Sequence, residues 1–91
     1  MSVTGVDVFD ITLESTDPID LGDLNADGFR RLLEATIDSP FTWEQRADGC
    51  ICVSFRHEAA DAERAYGASE RLANELGIGV WTVEVVPAEP V

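Results

Sequence analysis

The stretch Phe41-Thr-Trp-Glu-Gln-Arg-Ala-Asp-Gly-Cys-Ile-Cys-Val-Ser-Phe55 holds two alternating runs joined by a turn. Phe41, Trp43 and Gln45 alternate with Thr42, Glu44 and Arg46. Ile51, Val53 and Phe55 alternate with Cys50, Cys52, Ser54 and Arg56. A period of two puts each set on its own face of a strand. Asp48-Gly49 supplies the positive φ of a tight hairpin. The neighbours of this hairpin decide the fold. Before it, Phe29, Leu32, Leu33, Thr36 and Ile37 have helical spacing, and Ser39-Pro40 stops the helix. After it, Ala62, Ala65, Ser69, Leu72, Ala73 and Leu76 make a second stripe, between a capping Asp61 and a terminating Gly77. Outside both helices, Val6 to Glu14 and Trp81 to Val85 alternate again.

The order β-α-β-β-α-β predicts a two-layer α+β sandwich of the ferredoxin-like type. Two helices cover one face of a four-stranded antiparallel sheet, with the first and third strands central. The predicted inner face is Phe9, Ile11, Leu13, Phe41, Trp43, Ile51, Val53, Phe55, Trp81, Val83 and Val85. The other face is polar, as an antiparallel sheet with one wet side requires. It offers no aromatic ring on which a base could stack, which weighs against RNA recognition. The 91 residues make a single domain, with a core over about 6–86 and a frayed tail over 87–91. A fold of this kind hosts many functions, so function must be argued from particular residues.

Charge is the second feature. Eighteen acids face six bases, every one arginine, for a formal net charge of -12. That balance argues against binding a phosphate backbone or an anionic membrane, and favours a basic protein partner. No apolar run approaches the roughly 18 residues of a membrane span. The first residues, Met1-Ser2-Val3-Thr4-Gly5, lack the pattern of a signal peptide, so a cytoplasmic protein is expected. A lysine-free, arginine- and alanine-rich chain fits a high-GC coding bias, as in an actinobacterium or its phage, or a salt-loving archaeon. Acidity that serves only solubility is the competing account.

The acids are unevenly placed. Residues 1–28 carry Asp7, Asp10, Glu14, Asp17, Asp20, Asp23 and Asp27 and no base. The densest stretch is Glu14 to Asp27, where the first strand hands over to the first helix; it spans Ser15 to Leu24, a connection longer than usual for this topology and therefore a candidate functional loop. Glu14, Asp17, Asp20, Asp23 and Asp27 are the predicted partner-binding residues.

Other motifs are weighed against structural readings. Asp23-Leu-Asn25-Ala-Asp27-Gly28, with Glu34 at the twelfth position, matches D-x-N-x-D-G-x5-E, and over these residues it resembles an EF-hand or dockerin calcium loop. Arg30 and Arg31 occupy the eighth and ninth positions, and the apolar stripe puts Glu34 inside a helix. Acids at the positive N-terminal end of a helix account for the segment better, so no metal is predicted. Cys50, Cys52 and His57 offer three soft ligands without a fourth histidine or cysteine, too few for a structural zinc site. A straight strand separates Cys52 from His57 by roughly 17 Å, too far for a nucleophile–base pair. No catalytic set and no cofactor site emerge.

The leading expectation is a non-catalytic acidic protein-binding module. It fits an inhibitor of a basic or nucleic-acid-binding partner, such as an immunity protein or a phage-encoded inhibitor of a host factor. The alternative is a homodimeric small-molecule-binding regulatory domain, with Val8, Cys50, Cys52, Val80 and Val86 as the apolar part of its interface.

Overall fold

The computed structural model describes residues 7–22, 25–77 and 79–88. The elements are β1 (Asp7–Ser15), α1 (Asn25–Thr36), β2 (Phe41–Gln45), β3 (Ile51–Ala59), α2 (Ala62–Leu76) and β4 (Trp81–Pro87). The sheet order is β2-β3-β1-β4 and every pairing is antiparallel, which is the ferredoxin-like arrangement with β1 and β3 in the centre.

Alternation sets which residues are inside. Phe9, Ile11 and Leu13 of β1 and Ile51, Val53 and Phe55 of β3 are buried, facing Phe29, Leu33 and Ile37 of the α1 segment. Phe29 meets the Trp43 ring edge-on, with centroids 5.0 Å apart. Helix α2 turns a stripe of small buried residues, Ala65, Ser69 and Ala73, toward the sheet. Side-chain size then sets the layer spacing. Among the described residues, α2 brings Cα atoms within 8 Å of β4, β1 and β3, whereas α1, with its phenylalanine and leucine, comes that close only to α2.

The helix ends follow local chemistry. The Asp61 carboxylate accepts from the Arg64 N–H at 2.8 Å, and Gly77, at φ 74°, closes α2 in the left-handed conformation. At the start of α1, Asn25 has φ 53° and its Oδ1 accepts the Gly28 N–H at 3.1 Å, so Asn25 acts as the cap. In the hairpin, Gly49 N–H donates to Arg46 O, Arg46 N–H donates to Cys50 O, and Gly49 sits at φ 90°. Asp48 keeps a negative φ, so the turn is a type I turn followed by a bulge glycine rather than a mirror-image two-residue turn.

Two strands outrun their alternation. β3 continues through Arg56, His57 and Glu58 because β1 pairs with it as far as Asp7↔Ala59. β4 includes Pro87, opposite Phe9, instead of fraying there. Thr16 N–H donates to Val80 O and Ala88 N–H to Val8 O, so the even-numbered residues of β4 bond to β1 and the odd-numbered ones face the open edge. Proline at an odd position removes no bond of the ladder.

Glycine substitutions test this packing. A Cβ at Gly67 would meet nothing within 4 Å and its φ is ordinary, so Gly67→Ala should stabilise the protein by about 0.5–1 kcal/mol. A Cβ at Gly49 would lie 2.8 Å from Pro18 Cβ on a backbone at φ 90°, so Gly49→Ala should cost about 1–3 kcal/mol. Urea denaturation reads both; equal midpoints for the two variants would contradict the geometry.

Candidate protein-binding surface

Over its described residues, 16–22, the acidic connection after β1 is a fixed strap rather than a loose loop. Thr16 N–H donates to Val80 O at 2.9 Å, tying its start to the entrance of β4. Ile19 is buried, and its N–H donates to Gly49 O at 3.0 Å. The Gln45 amide donates to both Ile19 O and Gly49 O, at 2.8 and 3.0 Å. Glycine allows the close approach on both sides: a Cβ at Gly79 would come within 2.8 Å of Ile19 Cδ1, as one at Gly49 would of Pro18. The Asp20 carboxylate accepts the Gly22 N–H at 2.9 Å in a local turn. The strap thus closes the end of the sandwich with Ile19 as its apolar plug, and Asp17 and Asp20 remain exposed on its outside.

The predicted binding residues are divided by this arrangement. Asp17 and Asp20 lie together on the strap, and Asp27 is exposed on the first turn of α1 that follows it. Asp23 lies outside the described residues. Glu14 is on the opposite layer, on the outer face of the sheet, where Arg46 pairs with it at 2.9 Å. The Glu14 carboxylate is the main reason the Arg46 pKa is raised; Cys52 and Glu44 act in the same direction and burial opposes them. Asp48 is a residue the acidic-run argument missed. It is exposed at the hairpin tip, and the contact of Gly49 with Pro18 brings it beside the strap. Topology carries the signal for it: β1 ends where β2 ends, so the two connections share one end of the sandwich.

Arginine is used elsewhere. Arg30 pairs with Glu34, Arg56 with Asp10 and Arg64 with Asp61, at 3.9, 3.1 and 3.8 Å. All are exposed pairs, screened by salt and of small energetic weight. Arg46, just past the end of β2, is engaged by Glu14, and Arg30 and Arg31 follow Asp27 by three and four positions on α1.

The remaining motifs resolve by position. The segment matching a calcium loop is helical from Asn25, with the Asn25 side chain capping that helix, Gly28 inside it and Glu34 beside Arg30. A calcium loop needs its glycine at a sharp turn and its first ligands on irregular backbone, so these residues do not fit the ion. Among the described residues no group of three or more His, Cys, Asp or Glu is placed to hold a metal. Cys52 stands opposite Glu14 and Glu44 on the outer face, while His57 stands opposite Phe9 on the inner side of the sheet. The sheet therefore separates the thiol from the imidazole. His57 lines an open groove of about 700 Å³ at the other end of the molecule, with Ile37, Phe55, Leu72, Arg71 and Glu75. Its walls mix both charges with apolar carbon, and nothing converges there as a reactive set. No helix among the described residues is long and apolar enough to cross a membrane.

Comparison with protein-family models, with curated proteins and with solved structures finds no match in any of the three.

The plug gives a direct test. Ile19→Ala should cost about 2–4 kcal/mol, and hydrogen exchange at the position-19 amide should rise well beyond that of the β1 and β3 amides. Uniform acceleration of all core amides instead would mean that the strap has no stability of its own to lose.

Proposed function

We propose that this protein is a non-catalytic module that binds a basic protein through the acidic end of the sandwich. Asp17, Asp20, Asp27 and Asp48 form the contact. The observation that carries this reading is the pinning of the strap: Ile19, Gly49 and Gln45 hold an acidic loop in one shape, so little ordering cost falls on binding. The excess of acid over base in the whole chain extends the same field. Steering by such a field raises association rates more than it deepens affinity. An inhibitor of a basic or nucleic-acid-binding partner fits, of the kind represented by immunity proteins and phage-encoded blockers of host factors. A cytoplasmic location is part of this reading.

Affinity capture across a salt gradient should retain one basic protein at low salt and release it as salt rises. With that partner in hand, the triple reversal of Asp17, Asp20 and Asp27 to arginine should slow association about tenfold or more at low salt, and the difference should shrink at high salt. An unaltered on-rate would sink the reading.

A further inference from the structure

We propose that Cys50 and Cys52 form a two-sulfur site for a soft, singly charged metal ion such as Cu(I). They are the two cysteines of the chain, and both are free and half-buried. Ile51 between them is fully buried, so both side chains face away from the core, on the outer side of the sheet. Their backbones are held. Cys50 N–H donates to the Asp48 carboxylate at 2.9 Å, and the Cys50 carbonyl accepts the Arg46 N–H at 2.8 Å. Cys52 lies in the ladder of β3, between Glu14 of β1 and Glu44 of β2. The sheet and its hairpin therefore set the spacing of the pair.

That spacing selects the chemistry. Alternate residues of a strand lie roughly 6.8 Å apart, at the outer limit for a disulfide. Rotation about χ1 brings two sulfurs at this spacing to within roughly 4–5 Å of each other. Two metal–sulfur bonds of about 2.3 Å in line span about 4.6 Å. A soft ion held by two thiolates in line fits that gap. Zinc, which takes four ligands, does not: among the described residues no group of three or more His, Cys, Asp or Glu is placed around an ion. Charge agrees. The carboxylates of Glu14, Glu44 and Asp48 and the single base Arg46 surround the thiols, so the site favours a cation over a soft anion. The ion must displace the protons of both thiols, and the Arg46 guanidinium, close enough to Cys52 to interact with it, offsets the thiolate charge that results.

The site does not rest on the reading of the acidic end, and its test involves no protein partner. Cu(I), titrated without oxygen into the reduced full chain against a chromophoric chelator, should bind as one ion per chain. A thiolate-to-metal charge-transfer band should rise with it in the near ultraviolet. Cys50→Ser and Cys52→Ser should each weaken binding about a hundredfold or more, because a single sulfur loses the advantage of two on one strand. Both variants should keep the circular dichroism spectrum, since neither side chain is in the core. His57→Ala, on the other side of the sheet, should bind as the wild type does. The wild-type chain supplies a second measurement. One equivalent of Cu(I) should protect both thiols from alkylation together, and Zn(II) at the same concentration should protect neither. A chelator that keeps all the copper would overturn the proposal, as would an ion shared between two chains or equal protection by Zn(II). A single-cysteine variant that binds as tightly as the wild type, or protection of one thiol alone, would also overturn it and mean an adventitious ion only.

Discussion

Strand β1 is hydrogen-bonded on both sides, to β3 through Asp7↔Ala59 and to β4 as far as Ser15↔Trp81. A one-residue slip on either side would turn Phe9, Ile11 and Leu13 out to water and Asp10, Thr12 and Glu14 into the core. At its last residue the strand is fastened by a side chain: the buried Ser15 Oγ accepts the Ile51 N–H at 2.8 Å. That bond fixes where β1 ends relative to the start of β3. The strap must leave from this point, and the hairpin that receives Ile19 must sit beside it. Both the core and the acidic end depend on the register of one strand.

The strap also explains why its sequence is acidic and yet ordered. Only Ile19 among its described residues is buried, and glycine backbones approach it from two connections. Gln45 stands where the inner-face alternation of β2 calls for an apolar residue, at the point where the sandwich ends. An apolar side chain there would leave the Ile19 carbonyl without its amide partner, so the strand changes from carbon to amide where the layer changes from core to strap.

Much of the fold was legible because its signals are local. Asp61 and Gly77 bound α2 by cap chemistry, and the period of two in Phe41 to Gln45 and Ile51 to Phe55 needs no distant partner. The departures are where a distant partner decides. Arg56 reads as the last position of the alternating run and His57 as lying near its end, but the neighbouring Asp7 to Phe9 keep Glu58 and Ala59 in the ladder as well. Pro87 reads as a stop, but its missing N–H faces the open edge. At the surface, Glu14 reads as one of a run of acids and proves to belong to another face, because a run in sequence crosses from strand to strap to helix. Asp48 is far from that run in sequence and close to it in space, since the hairpin folds against Pro18.

Like charge gathered at one end raises the free energy of the folded chain, because folding brings those groups closer than an open chain holds them. The structure limits this in two ways. The aspartates of the strap stay exposed, where water and ions screen them, and the Glu14 carboxylate, at the edge of the same region, is matched by Arg46. What remains is the exposed carboxylates of Asp17, Asp20, Asp27 and Asp48. Any cation that docks there relieves repulsion present in the free protein as well as adding its own attraction. By linkage it must then stabilise the fold, and the gain is largest at low ionic strength, where the repulsion is least screened.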